Sequence, residues 1–318
     1  MISVAAVSFA AALLAAASLA YGDAPTTAEF LKISTAPRVA ALGEASVAVT
    51  DATWAEANPA HLTFIDGSLF TFSHAAWFQD ISLEMLEVGT SSGRHGFGVS
   101  VIGLHTEPLE EYSADDRFLG EFRYYDLLVG ATYAYGIRPD LRAGVTAKTI
   151  YEKIGWDSAT GFAVDLGLDY RVPAEWLSGD LSAGLAVRNL GTKMSYFEEK
   201  FDLPLTWQGG LAYRPSWVPG PFKILLSADY RSVREGSRGM LFGLEVALAN
   251  AVAVRAGAKS LTGEDSEGGN GTVGIGVNLK NIMIDYSYVD FGNRLGATHR
   301  VSLALKAGRI FPTPEASR

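Results

Sequence analysis

Residues 162–171 read FAVDLGLDYR and residues 282–288 read IMIDYSY, and in both stretches apolar side chains alternate with polar or small ones. Successive side chains of a β-strand point to opposite faces of its sheet, so a period of two gives the strand one apolar face and one polar face. In the first stretch Phe162 and Leu166 share the apolar face, while Asp165 and Asp169 share the other. The pattern predicts strands rather than helices.

The same alternation recurs along most of the chain. It predicts fourteen strands, at 68–74, 81–90, 95–106, 121–135, 141–152, 160–171, 180–189, 204–214, 222–231, 238–248, 251–260, 271–279, 282–290 and 298–306. Closed bacterial barrels have an even number of antiparallel strands. We therefore predict an all-β fold, an antiparallel transmembrane β-barrel of about fourteen strands that occupies residues 68–309.

Alternation alone fits two architectures. A soluble sandwich buries the apolar faces, whereas a membrane barrel turns them to lipid, keeps charges in a watery lumen and leaves no strand edge unpaired. The connections favour the barrel, because near-minimal turns such as Ala249-Asn250 and Lys280-Asn281 alternate with longer loops such as 107–120 and 190–203. Short turns on one side and long loops on the other are typical of outer-membrane barrels.

The ionisable side chains of the polar faces would line the lumen of such a barrel. They are Asp126, Arg142, Lys148, Glu152, Asp165, Asp169, Arg188, Arg214, Asp229, Arg231, Glu245, Arg255, Lys259, Asp285 and Arg300. Both signs are interspersed, which predicts pairing across a narrow polar interior rather than a strongly selective ion pore. The alternative interpretation is the solvated outer face of a soluble protein.

Residues 23–67 do not alternate and are rich in small side chains. The segment is too irregular for a separate domain, and its length suits a plug, or hatch, in the barrel mouth. Its most distinctive part is Asn58-Pro59-Ala60, in which the proline lacks a backbone donor. A plain turn before the first strand is the simpler interpretation of these three residues.

The chain start predicts export. Residues 2–20 are apolar and alanine-rich, and a small-x-small cleavage point lies near Gly22, which predicts a signal peptide at 1–22 although no Lys or Arg follows Met1. A single membrane anchor is the alternative, but the stretch is only just long enough to span a bilayer. Residues 310–318 would form a C-terminal tail.

Composition and motifs exclude several functions. The net charge of −9 argues against nucleic acid as a partner, and the absence of cysteine rules out disulfides and thiolate sites. The five histidines lack metal-ligand spacing, and no G-x-S-x-G nucleophile motif is present. We therefore predict no enzymatic activity, no metal and no cofactor.

The N-terminal segment resembles that of a known family. Its elements are Phe30-Leu31-Lys32-Ile33, Arg38 with Ala41-Leu42-Gly43, Ser46-Val47-Ala48-Val49, Asp51-Ala52 and Asn58-Pro59-Ala60. Together they are similar to the signature of the PorV/PorQ family, within the superfamily of FadL-type long-chain fatty-acid transporters. The resemblance implies a plug followed by a fourteen-stranded barrel, with Asn58, Pro59 and Ala60 in the hatch. Glu44 and His61 depart from the family pattern.

Two functions compete at this point. The inverted alternation and the plug-like segment favour a barrel in the outer membrane of a diderm bacterium that passes small hydrophobic molecules, such as long-chain fatty acids, by hatch-gated passive uptake. Its partners would be membrane lipid and the hydrophobic ligand. The PorV/PorQ resemblance also implies an accessory component of a type IX-like protein secretion system, with secretion-system proteins as partners. A structural barrel or narrow porin is a third hypothesis.

Overall fold

The computed structural model describes residues 26–50, 54–77, 81–174, 176–196, 199–263, 271–291 and 296–308. The predicted signal peptide at 1–22 and the predicted tail at 310–318 lie outside these ranges.

Eighteen strands are present in the described part of the chain. They are β1 (Ser68–Ala76), β2 (Ile81–Ser92), β3 (His95–Thr106), β4 (Leu109–Tyr112), β5 (Phe118–Phe122), β6 (Tyr124–Arg138), β7 (Leu141–Ile154), β8 (Asp157–Val172), β9 (Gly179–Gly191), β10 (Met194–Tyr196), β11 (Glu199–Phe201), β12 (Thr206–Pro215), β13 (Phe222–Val233), β14 (Arg238–Leu248), β15 (Val252–Thr262), β16 (Gly271–Leu279), β17 (Ile282–Asp290) and β18 (Ala297–Ala307).

Fourteen of these strands close into one antiparallel barrel, in the order β1-β18-β17-β16-β15-β14-β13-β12-β9-β8-β7-β6-β3-β2. Closure comes from the pairing of β1 with both β2 and β18, in which Ser68 faces Thr90 on one side and Ala307 on the other. Each predicted strand corresponds to one barrel strand, so the predicted fold class is confirmed.

The remaining four strands form two small hairpins, β4 with β5 and β10 with β11. The predicted loops at 107–120 and 190–203 instead form most of these hairpins, and β6 begins at Tyr124 rather than at the predicted residue 121. These predictions are wrong because three to five residues per strand are too few for a period of two to stand out.

The two ends of the barrel differ. One end, here called the lower rim, carries the turns at Ala249-Asn250 and Lys280-Asn281, and β1 begins and β18 ends there. Ala249 and Asn250 both have positive φ, as a two-residue hairpin turn of type I′ requires. The opposite end, the upper rim, carries the two small hairpins.

The barrel is apolar on the outside and polar within. Phe162 is 58% exposed and Leu166 46%, whereas Asp165 and Asp169, which alternate with them in β8, are buried. A soluble sandwich would show the opposite pattern. Among the described residues, no helix is long and apolar enough to cross a membrane.

The described part of the segment before β1 lies inside the barrel and contains four short helical pieces. They are the 3₁₀ helix Glu29–Lys32, the α-helix Pro37–Ala41, the α-helix Trp54–Ala57 and the 3₁₀ helix Pro59–Phe64. Both proline-led pieces begin with Pro at the first helical position, where its missing N–H costs nothing. This segment, residues 26–67, is called the plug below.

The plug winds around the inner wall, and glycines in the wall make room for it. A Cβ added at these glycines would lie 3.0 Å or less from a plug atom. In chain order the close pairs are Ala41 with Gly274 of β16, Gly43 with Gly257 of β15, Val47 with Gly184 of β9, Asn58 with Gly167 of β8, Pro59 with Gly144 of β7 and Leu62 with Gly96 of β3. The plug backbone therefore fits against the wall only because these positions lack side chains.

Candidate functional site

Asn58 fastens the plug to the barrel wall. Its side-chain oxygen accepts a hydrogen bond from Ala60 N (3.0 Å) and so caps the 3₁₀ helix that follows. Its amide nitrogen donates to Val47 O within the plug and to Leu168 O of β8, both at 2.9 Å. Asn58, Pro59 and Ala60 are all buried, and Asn58 bonds at once to two parts of the plug and to the wall.

The next plug residues meet two of the predicted lumen residues. His61 Nε2 lies 3.6 Å from Asp169 Oδ2, and both side chains are buried. The guanidinium of Arg142 lies over the ring of Phe64, 4.1 Å from its centroid. A cation held above an aromatic face is attracted by the ring's negative face.

Arg38 joins the plug to a buried ionic network. Its guanidinium donates to both oxygens of Glu245, at 2.9 and 3.0 Å, in the bidentate geometry that makes Arg–carboxylate pairs strong. Arg255 Nε donates to the same carboxylate at 2.6 Å, and Arg255 Nη1 donates to Asp285 Oδ1 at 2.5 Å. Three predicted lumen residues, Glu245, Arg255 and Asp285, thus form one chain of charges with the plug.

Glu44 forms a second ionic contact between plug and wall. Its carboxylate pairs with Arg231 of β13 and Lys259 of β15. Burial alone raises the pKa of Glu44, but the two cations outweigh it and hold this pKa well below its ordinary value. Nearby, Asp229 accepts a hydrogen bond from Val47 N at 2.9 Å.

Lys148, Asp165 and Arg188 lie on one side of the lumen. Lys148 Nζ is 2.5 Å from Asp165 Oδ2, and Asp165 also accepts a hydrogen bond from Asn189 N at 2.8 Å. The pairing of β8 with β9 shifts register here, so one backbone N–H has no partner in the neighbouring strand. The Asp165 carboxylate accepts its hydrogen bond instead. Arg188 donates to the backbone oxygen of Glu56 at 2.6 Å.

Of the remaining four predicted lumen residues, three contact the plug and one, Asp126, bonds to a wall tyrosine. Glu152 accepts hydrogen bonds from Thr27 Oγ1 and Ala28 N, and Tyr124 O–H donates to Asp126 at 2.6 Å. Arg300 Nε donates to Ser34 O at 2.9 Å. Arg214 Nη1 lies 3.5 Å from Thr50 Oγ1.

A cavity of about 590 Å³, the upper cavity, lies between the plug and the upper rim. Its apolar lining comes from Phe30, Leu31 and Ile33 of the plug and from wall residues such as Ile102 and Leu128. Its polar lining includes Lys148, Arg188, Arg231, Lys259 and Arg300. Acids such as Glu44, Glu56 and Glu87 line it as well. The space is therefore amphipathic, with apolar side chains and charges of both signs in its lining.

A smaller cavity of about 210 Å³, the lower cavity, opens at the lower rim, where Asn250 and Lys306 line it. On the plug side it is bounded by Ala36, Pro37 and Arg38. The plug thus separates two spaces at opposite ends of the same lumen.

Several contacts of the site are not predicted by the sequence. Glu56 Oε2 accepts hydrogen bonds from Thr35 N, Thr35 Oγ1 and Ala36 N, at 2.9, 2.8 and 2.7 Å. Burial raises the pKa of Glu56, against the lowering effect of these hydrogen bonds. The wall glycines are a partial signal in the sequence: a Cβ at Gly274 would lie 2.5 Å from Ala41 Cβ of the plug, whereas nothing lies within 4 Å of a Cβ at Gly271.

Among the described residues, no group of three or more His, Cys, Asp or Glu side chains has the arrangement of a metal site.

Comparison with solved structures identifies similar barrels. The CymD monoaromatic hydrocarbon channel is 10% identical and superposes with a TM-score of 0.66, over 87% of this chain and 98% of the channel. The Pseudomonas putida toluene transporter TodX is 11% identical, with a TM-score of 0.57 over 83% of this chain and 96% of the transporter. At such identities the likeness concerns the fold.

No curated protein matches the sequence. One family model does, over residues 3–256, and it does not confirm the PorV/PorQ family suggested by the N-terminal resemblance. Because the match covers most of the chain, this protein belongs to the Uncharacterised protein family (UPF0164).

Proposed function

We propose that the protein is an outer-membrane barrel that passes small hydrophobic molecules. One observation carries the proposal: a closed barrel, apolar outside, holds a plug beneath a partly apolar cavity of about 590 Å³. That volume is in the range of pockets that hold small organic ligands, roughly 300 to 1,000 Å³. The apolar outer face suits contact with acyl chains. Closure leaves no barrel strand with an unpaired edge, so the backbone groups of the wall have partners, as a bilayer requires.

The similar structures support the same class of ligand. CymD is described as a monoaromatic hydrocarbon channel and TodX as a toluene transporter. In this proposal the ligand enters the upper cavity from outside the cell, and displacement of the plug lets it pass by diffusion. The signal peptide and the roles of Asn58, Pro59 and Ala60 as hatch residues belong to the same proposal.

Uptake into proteoliposomes tests the function. The purified full chain is reconstituted, and the entry of radiolabelled toluene and of radiolabelled oleate is compared with entry into empty liposomes of the same lipid. We expect faster entry of at least one of the two ligands, and the faster one identifies the ligand class. Entry equal to that of empty liposomes for both would refute the proposal.

The secretion hypothesis has one observation in its favour, the PorV/PorQ-like segment around Asn58-Pro59-Ala60. It predicts that the tagged protein, isolated from its own membrane, brings down secreted proteins that share a C-terminal domain. Recovery of no such protein would count against it.

A further inference from the structure

The two cavities meet at one place. Of all the residues that line them, Glu56 of the plug and Glu87 of β2 line both. Ser34 and Thr35 face the upper cavity, and the next residue, Ala36, faces the lower one. The barrier between the two spaces is therefore thin here, and its plug side is the short segment Thr35–Ala36.

This segment is held in place by directed hydrogen bonds. The carboxylate of Glu56 accepts from Thr35 N, Thr35 Oγ1 and Ala36 N at 2.7 to 2.9 Å. From the wall, Ser73 Oγ of β1 donates to Thr35 O at 2.7 Å. Thr35 Oγ1 also lies 2.9 Å from Met85 Sδ of β2. Of the hydrogen bonds that fix this two-residue segment, three thus depend on a single side chain.

We propose that the passage through the plug runs along the β1–β2 wall between Glu56 and Glu87, and that the Thr35–Ala36 segment, latched by Glu56, closes it. The proposal rests on the proposed transport function and names the part of the plug that moves. Release of the latch joins the two cavities without removing the plug from the barrel. The ionic contacts of Arg38 and Glu44 stay in place, since neither involves Thr35, Ala36 or Glu56.

The charges at this point set what passes. Within the described residues neither Glu56 nor Glu87 forms an ion pair, and Glu87 makes no hydrogen bond there although it is buried. Arg188 donates to the backbone oxygen of Glu56. Burial favours the neutral form of a carboxyl group, but when release of the latch admits water the acidic side chains ionise. Carboxylates at a narrow passage favour cations and neutral molecules over anions. The route therefore discriminates against a free carboxylate and in favour of an uncharged apolar ligand.

Ion conductance across planar bilayers tests the route independently of the ligand. The full chain and the variant Glu56→Ala are compared in potassium chloride, with Asp66→Ala as the matched control, because Asp66 is an exposed acid of the same plug that lines neither cavity. We expect conductance through Glu56→Ala to rise at least tenfold over the wild type, with cation selectivity, and Asp66→Ala to remain at the wild-type value. The double variant Glu56→Ala/Glu87→Gln should keep the raised conductance and lose most of the cation preference.

Unchanged conductance of Glu56→Ala, or a raised conductance that prefers anions, would overturn the proposal. If Glu56→Ala loses the circular dichroism signal of the β-barrel, the variant Ser73→Ala tests the latch instead. It removes the hydrogen bond that Ser73 of the wall donates to Thr35 O. It should raise conductance about fivefold, as the loss of one net hydrogen bond predicts, and no rise would then refute the latch.

The outcomes separate this proposal from the transport function. Hydrophobic uptake by the wild type together with unchanged conductance of Glu56→Ala refutes the route alone. Raised cation conductance of Glu56→Ala without hydrophobic uptake by the wild type refutes the transport function and leaves the latch.

Discussion

Replacing Asn58 with aspartate should release the plug while leaving the barrel folded. The change keeps the size of the side chain and the oxygen that caps Ala60 N, but it removes both hydrogen bonds that the amide donates, to Val47 O and to Leu168 O at 2.9 Å. It also brings a carboxylate against two carbonyl oxygens. Each buried acceptor that loses its donor in this way costs about 1 to 3 kcal/mol.

With two acceptors left unpaired, the docking free energy of the plug should therefore fall by roughly 2 to 6 kcal/mol. Since about 1.4 kcal/mol is a factor of ten, the ratio of docked to undocked plug should fall at least about twentyfold. The strand ladder should persist, because its hydrogen bonds run between the strands and do not involve Asn58.

Limited proteolysis in detergent measures the change. In Asn58→Asp, residues 26–67 should be cleaved much faster than in the wild type, while the strands stay protected. Asn250→Asp, an exposed turn position at the lower rim, is the matched control and should behave like the wild type. Equal cleavage rates in Asn58→Asp and the wild type would show that Asn58 does not hold the plug.

Three further substitutions test the barrel and its contacts. Gly184→Val should lower the free energy of unfolding by about 1 to 3 kcal/mol, because the new side chain would overlap the backbone of Val47. Gly271→Ala should leave the free energy of unfolding unchanged, because a Cβ there meets open space. Urea titration measures both variants. Leu166→Arg should lower the free energy of unfolding in lipid bilayers by about 2 to 4 kcal/mol, the cost of an arginine on the lipid face near the midplane. Trp156→Arg, at a position 96% exposed in a turn, should lower it by less than about 0.5 kcal/mol. Equal losses in the two variants would contradict a lipid-facing β8. Because the pKa of Glu44 is depressed, its stabilisation is complete above the ordinary value of 4.5 and is lost as pH falls through the folded value. Glu44→Gln should therefore be less stable than the wild type at pH 7, with a difference that shrinks on acidification below pH 4.5.

The strands could be predicted because their signal is local. The predicted bounds 238–248, 271–279 and 282–290 agree with β14, β16 and β17 to the residue. Turn residues such as Lys280 and Asn281 interrupt the alternation sharply, so the ends are visible in the sequence. In the longer upper-rim connections the interruption is gradual, and there the two small hairpins were missed.

The plug could be predicted as a segment but not in its contacts. Nothing in the spacing of Arg38 and Glu245, which are 207 positions apart, indicates that they pair. Thr35 and Glu56 are closer in sequence, 21 positions apart, but their hydrogen bonds depend on the path of the chain between them. Such contacts follow from three-dimensional placement, on which a period of two carries no information.

The nature of the plug–wall interface bears on whether the plug moves. It combines two kinds of contact. Arg38 pairs with Glu245, Glu44 pairs with Arg231 and Lys259, and Asn58 bonds to β8. Three apolar clusters also join the plug to the wall, around Phe30, Leu42 and Leu62. When water replaces a protein partner, a hydrogen bond loses only about 1 kcal/mol net, whereas exposing a packed apolar core costs about 25 cal/mol for each Å². The apolar clusters therefore resist removal of the whole plug, whereas a short segment held by hydrogen bonds, such as Thr35–Ala36, exchanges its partners at lower cost. The proposed route accordingly needs only this segment to move, inside a plug and a wall that stay in place.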